Sequence, residues 1–295
     1  MAGSRFYIVD VFAERKHAGN QLAVVRDVAS LAEDSYQAIA REMNYSETTF
    51  IMSDEPRDGG YDVRIFTPGT ELPFAGHPTL GTAWIIQQEI IGTPVEKVVL
   101  NLKVGQIPVT FKYDADQPSE LWMKQVAPTF GEVMDKKQMA ACLNIDPDDI
   151  DDRFPIEEVS TGVFCFIVPL KTLDALKRAR TNLDLFYKLI DKTEAKAPLL
   201  FCPETYDPKN ALCVRFFADA LGIVEDPATG SANGSLAGYL ARHRYFGESK
   251  VDIRVEQGIE IKRPSLLLLK SEDMGDEIDV HVGGKVIPVA RGELV

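Results

Sequence analysis

The sequence predicts an α+β protein built from two similar halves, and three observations point to it. Glu71-Leu72-Pro73-Phe74-Ala75-Gly76-His77, running on to Gly81-Thr82-Ala83, returns as Glu225-Asp226-Pro227-Ala228-Thr229-Gly230-Ser231, running on to Ser235-Leu236-Ala237, with Glu, Pro and Gly at the same offsets. Val63-Arg64-Ile65-Phe66 before the first copy is echoed by Val214-Arg215-Phe216-Phe217 before the second. The chain has 295 residues, room for two domains of about 150 residues each. A repeat of about that period is too long for a solenoid, whose units run to ~20–50 residues.

The first half opens with a predicted strand, Phe6 to Phe12, and a hairpin partner, Asn20 to Arg26, with Gly19-Asn20 at the return. Apolar residues at Leu31, Tyr36, Ile39, Ala40 and Met43 have helical spacing, and Asn44 is a stop signal. Strands are expected at Thr48–Met52 and Tyr61–Thr67, then the first motif and a helix from about Thr79 to Glu89. Val98–Leu102, Gln106–Tyr113 and Leu121–Lys124 read as strands, the first two joined by a hairpin at Lys103-Val104-Gly105-Gln106.

The order then recurs. Thr161–Val168 is strand-like, Leu173–Leu176 and Leu183–Ile190 helical, Leu199–Cys202 and Leu212–Ala218 strands. The second motif leads into a helix from about Asn233 to Arg242. Strands follow at Val251–Glu256, Glu260–Lys262, Ser265–Lys270 and Asp279–Val282, then a Gly283-Gly284 turn and a last strand, Lys285–Ala290. Gln117-Pro118-Ser119 is the candidate crossover, and the last strand is expected to return to the first half. The predicted domains are residues 1–117 with 285–295, and residues 118–284.

A hydrophobic content of 45% with 26% charged residues is that of a globular protein with a full core. No apolar run approaches the ~18–20 residues that span a bilayer, and Met1-Ala2-Gly3-Ser4-Arg5 leads straight into a strand, so neither a membrane segment nor a signal peptide is expected. Net charge is −13 and the longest basic cluster, Lys177-Arg178-Ala179-Arg180, fits a helix C-terminus, which argues against nucleic acid. Cys142, Cys165, Cys202 and Cys213 lack C-x-x-C spacing and sit among apolar neighbours. They read as buried thiols of a cytoplasmic protein. Four unpaired histidines make no zinc signature, so no metal is expected.

Gly76-His77 and Gly230-Ser231 are the duplicated pair. Glycine lets backbone approach a ligand closely, and N–H groups at a helix start hold a carboxylate or a developing oxyanion. The alternative is ordinary capping by Thr79 or Ser231; two copies with the same Pro and Gly offsets favour the pocket. Glu47, in Asn44-Tyr45-Ser46-Glu47-Thr48-Thr49-Phe50, lies where a helix ends and a strand begins. It is either a surface glutamate or a carboxylate beside an apolar wall, whose raised pKa lets it give and take a proton near neutral pH. His77 is a proton relay, a donor to substrate, or a packed histidine. Asp226 is a site acid or a solvated loop acid. Trp84 and Trp122 read as packing residues. Walker A, G-x-G-x-x-G, H-E-x-x-H and G-x-S-x-G patterns are missing from the sequence, which favours cofactor-free chemistry.

At these residues the chain resembles the PhzF-like family, the phenazine-biosynthesis-type proteins, which share the fold of diaminopimelate epimerase and proline racemase. The matching stretches include Val9-Asp10-Val11-Phe12, Gly19-Asn20, Ser46-Glu47-Thr48-Thr49-Phe50, Phe66-Thr67-Pro68 and both motifs. Asn20-Gln21 departs from the Asn-Pro of many members.

The resemblance implies two pseudo-symmetric diaminopimelate epimerase-like domains, each a β-barrel-like sheet around a central helix, with the site in the cleft between them, and a homodimer. It implies Glu47 as the acid/base, His77, Asp226 and Ser231 as further site positions, and Gly76 and Gly230 as anion-holding turns. Related epimerases use two cysteines; here those places are Ala75 and Thr229. One carboxylate suits proton removal and return on one face of a small carboxylated substrate, an isomerisation of the trans-2,3-dihydro-3-hydroxyanthranilate isomerase type. An amino- or hydroxy-acid epimerase or racemase, and a non-catalytic anion-binding relative, are the alternatives.

Overall fold

The computed structural model describes residues 3–295, Leu221 by its backbone only. Two compact units emerge, Met1–Met123 with Gly283–Val295, and Lys124–Val282.

The first unit runs β1 (Arg5–Val11), β2 (Asn20–Arg26), α1 (Glu33–Met43), β3 (Glu47–Ile51), β4 (Tyr61–Phe66), β5 (Glu71–Leu72), α2 (Gly76–Ile86), β6 (Lys97–Leu102), β7 (Gly105–Asp114) and β8 (Gln117–Lys124). The second runs β9 (Thr129–Val133), α3 (Lys136–Leu143), β10 (Glu157–Ser160), β11 (Phe164–Pro169), α4 (Leu173–Arg178), α5 (Leu183–Ile190), β12 (Pro198–Cys202), β13 (Leu212–Ala218), β14 (Ile223–Asp226), α6 (Gly230–Arg242), β15 (Lys250–Gln257), β16 (Ser265–Asp273) and β17 (Ile278–Gly284). The last strand, β18 (Val286–Glu293), pairs with β1 in the first unit.

The two units repeat one pairing scheme. In the first, β1–β2 is antiparallel, β2–β3 parallel, β3–β4 antiparallel, and β4 meets β5 antiparallel and β6 parallel. In the second, β10–β11 is antiparallel, β11–β12 parallel, β12–β13 antiparallel, and β13 meets β14 antiparallel and β15 parallel. A helix without polar faces must be enclosed. Every residue of α2 is buried, as are all of α6 but Ser231 and Arg242, so each sheet wraps its own helix. α1 packs outside, ending at Asn44 in the left-handed conformation. There Tyr36, Phe50 and Phe66 make edge-to-face and stacked pairs, the geometry aromatic rings favour.

Several expectations are corrected. α2 and α6 start at Gly76 and Gly230, so the motif glycines lie inside the first helical turn and the N-caps are Ala75 and Thr229. Glu260–Lys262 is a turn, with Gly258 and Lys262 at positive φ. Gly283 and Gly284 belong to β17: a Cβ on Gly283 would stand 2.4 Å from Trp122, so this glycine serves ring packing and not a turn. Gln117–Ser119 lies within β8. The sequence reading missed β10 because two of its four residues are glutamates. Both are buried and partnered: Glu157 with His243 at 2.7 Å, Glu158 with the Ala195 N–H at 2.9 Å. The four cysteines are free and buried, and no helix among the described residues is long and apolar enough to cross a membrane.

Candidate active site

Glu47 is the first residue of β3, beside Leu22 of β2. The turn at Asn44 brings the chain off α1 and into this strand, and the next two residues, Thr48 and Thr49, are buried. His77 is the second residue of α2. Its Nε2 stands 3.4 Å from Glu47 Oε2, longer than an ordinary hydrogen bond. The sequence-predicted pair of the first unit is therefore brought together.

The state of His77 follows from its surroundings. Only 6% of it is exposed. Burial pushes the imidazole from 6.5 down to about 3, against the opposing effect of a hydrogen bond with the Gln21 backbone, because desolvation penalises the cation. Nε2 has no hydrogen-bond partner among the described residues. The bond to Gln21 thus runs through Nδ1, which donates to the carbonyl. The ring is then the neutral Nδ1–H tautomer, with the Nε2 lone pair facing Glu47. Close approach of a histidine and a carboxylate is not an ion pair here.

In the second unit, Asp226 ends β14 and Ser231 is the second residue of α6. The Thr229 hydroxyl donates to Asp226 Oδ2. Gln257, fully buried, ties the turn between strand and helix. Its Nε2 donates to the Asp226 carbonyl at 2.9 Å, and its Oε1 accepts from the Thr229 N–H at 3.2 Å and from Asn233 Nδ2 at 2.8 Å. Sequence reasoning missed Gln257, Asn233 and Thr229 as supports. Only the structure shows that Gln257, far along the chain, meets the motif.

Neither N-cap residue, Ala75 before α2 nor Thr229 before α6, caps its helix with its side chain. The expected alternative, capping by Thr79 or Ser231, fails. Thr79 lies inside the helix and its hydroxyl donates back to the Ala75 carbonyl at 2.7 Å, and Ser231 is likewise helical. Each helix start therefore keeps N–H groups and a positive dipole end without an internal counterpart. Gly76 and Gly230 sit at these starts.

The shared glutamates have a different part. Arg64 makes a two-pronged bond to Glu71, at 2.9 and 3.0 Å, and Arg215 makes the same bond to Glu225, at 3.0 and 2.7 Å. The Arg64 guanidinium holds the Glu71 carboxyl below the usual carboxylate range. The Arg215 pair is deeper, with both side chains 5% exposed, and Arg215 Nη1 also donates to the carbonyls of Leu176, Lys177 and Ala179 at the end of α4. Planar two-pronged pairs fix geometry as well as charge. These glutamates brace the strand that precedes each helix start. No group of three or more metal-ligating side chains converges among the described residues.

Known proteins share this architecture. The "phenazine biosynthesis-like protein" family model matches residues 9–292. A trans-2,3-dihydro-3-hydroxyanthranilate isomerase of Pseudomonas aeruginosa is 34% identical over 289 residues, covering 98% of this chain and 98% of its own. A crystal structure of a PhzF-family phenazine biosynthesis protein of Bacillus anthracis superposes with a TM-score of 0.90 at 26% identity, covering 100% of both chains. A probable proline racemase of Agrobacterium radiobacter, at 9% identity and a TM-score of 0.65, covering 99% of this chain and 93% of its own, shares the fold alone. A paired scheme of strands around two enclosed helices, matched from end to end in sequence and structure, places this chain in the phenazine biosynthesis-like family.

Proposed function

We propose that the protein is a cofactor-independent isomerase that moves a proton within a small carboxylated substrate, with Glu47 as the acid/base. The observation that carries this reading is the Glu47 carboxyl group facing the lone pair of a neutral His77 at 3.4 Å. Relatives of similar length are named isomerases.

In the proposed reaction the Glu47 carboxylate takes a proton from a carbon next to a double bond. The electron pair moves through the allylic system, the double bond shifts, and the carboxylic acid returns a proton to the far carbon. Atoms and charge balance without a cofactor. With its pKa near 3, His77 accepts a hydrogen bond from the Glu47 acid and orients it, instead of taking the proton. The start of α2, with Gly76, supplies N–H groups for the substrate carboxylate and for charge that develops as the proton leaves; in the second unit, the start of α6, with Gly230 and Ser231, offers N–H groups of the same kind. Asp226, fixed by Thr229, is the candidate polar substrate-binding group of the second unit.

Ala75 and Thr229 stand at the caps where a two-thiol epimerase would need cysteines, which favours the single-carboxylate route. The test is turnover of trans-2,3-dihydro-3-hydroxyanthranilate in heavy water. The expected result is an isomerised product carrying solvent deuterium at one carbon, lost in Glu47→Gln while binding persists. Normal turnover by Glu47→Gln would remove Glu47 from the chemistry; inversion of a stereocentre without a double-bond shift would favour an epimerase.

A further inference from the structure

Gln125 follows β8 and its backbone N–H donates to the Val280 carbonyl at 2.8 Å. Its side chain is 4% exposed, and neither end of its carboxamide has a hydrogen-bond partner among the described residues. Leaving a buried amide unmade at both ends is costly, and native proteins satisfy nearly all such groups.

The carboxamide lies against the first turns of α6. A Cβ on Gly234 would come within 3.0 Å of Gln125 Cγ, 3.3 Å of Gln125 Oε1 and 3.0 Å of Thr161 Oγ1. Glycine at 234 is what lets the amide sit there. Gly234 follows Ser231 by three residues, so both lie on one face of the helix. The neighbouring polar groups are already used: Thr161 Oγ1 donates to the Ser231 carbonyl at 3.0 Å, and the Thr161 N–H donates to Ser235 Oγ at 3.1 Å. The unpartnered amide thus lies one turn along α6 from its start, on the helix face that carries Ser231.

We propose that Gln125 is a substrate-binding residue that reads a carboxylate carrying an adjacent amino or hydroxyl group. The inference rests on the isomerase reading above. Nε2 donates to a carboxylate oxygen while Oε1 accepts from the neighbouring N–H or O–H, and the helix N–H groups take the remaining charge. One amide offers both a donor and an acceptor, so it separates such substrates from plain carboxylates.

The test compares 3-hydroxyanthranilate and benzoate binding by calorimetry to wild type, Gln125→Met and Gln125→Asn. Methionine fills the same space without polar atoms; asparagine keeps the amide but withdraws it. Wild type is expected to prefer 3-hydroxyanthranilate. Both variants should bind it roughly tenfold more weakly, about 1.4 kcal/mol, with a smaller change for benzoate, which loses only the Nε2 bond, and Gln125→Met should melt no lower than wild type. Unchanged 3-hydroxyanthranilate affinity in the variants overturns the inference, and so does a lower melting temperature of Gln125→Met, which would mean a structural hydrogen bond. If wild type turns over substrate while the variants bind normally, only Gln125 is misassigned. If wild type neither binds these acids nor exchanges a proton, the isomerase reading falls and takes this one with it.

Discussion

Replacing His77 with glutamine tests the neutral imidazole directly. The folded-state pKa near 3 lies below the ordinary 6.5, so below 6.5 the unfolded chain binds a proton that the folded chain refuses. Stability from this residue is complete above 6.5 and drains away as pH falls from 6.5 towards 3. From about pH 7.5 to about pH 5.5 the loss is about RT ln 10, roughly 1.4 kcal/mol. Urea unfolding at both pH values should show wild type losing about 1.4 kcal/mol more than His77→Gln; the other histidines cancel in the difference. An imidazolium paired with the Glu47 carboxylate would have a raised pKa and reverse the sign, making wild type gain relative to the variant on acidification. Equal losses, or that reversal, would refute the argument. Nitrogen-15 spectra of the ring give an independent reading, since the Nδ1–H tautomer should persist to about pH 5.

Glu47→Gln should lower kcat by at least about a hundredfold with little change in substrate binding, because acid–base groups contribute roughly 10²–10⁴-fold; steady-state kinetics and calorimetry check the two halves. Arg215→Met should destabilise by about 3–5 kcal/mol, since it strands a buried carboxylate. Arg64→Met should cost roughly 1 kcal/mol, since Glu33 and Glu71 then face more solvent. Chemical denaturation of the two variants side by side measures the gap.

The duplication was legible because Glu, Pro and Gly keep their offsets in both halves, and periodicity gave most of the strand and helix order, though not β9, α3, β10 or β14. The part played by the shared glutamates was not. Read along the chain, Glu71 and Glu225 are only markers of the repeat, each five residues before its glycine. In space, each answers an arginine on the preceding strand: Arg64 seven residues before Glu71, Arg215 ten before Glu225. The Val-Arg echo held that information, but the unequal separations hid the pairing. β10 was hidden for a related reason, because buried glutamates with distant partners break the apolar pattern. Gln125 lay beyond motif reading altogether. An amide is noticed only when its burial and its want of a partner are known.

The cap residues carry the argument for an anion pocket further than the glycines do. Threonine is a good N-cap, yet Thr229 gives its hydroxyl to Asp226, and Ala75 has nothing to give. Ala75 already has extended dihedrals, φ −154° and ψ 144°, so a serine there could accept from the N–H groups of the next turn without moving the backbone. Ala75→Ser should therefore stabilise the protein by about 0.5–2 kcal/mol. If those N–H groups are kept for a substrate carboxylate, the new hydroxyl competes for them, and affinity for the substrate or for 3-hydroxyanthranilate should fall as stability rises. Thermal melts and calorimetry on one preparation read both quantities. A serine that stabilises and leaves binding untouched would mean that the α2 start is an idle helix end; a serine that neither stabilises nor weakens binding would mean that its N–H groups are already satisfied. Opposite movement of the two quantities is the signature of a helix start left open for its ligand.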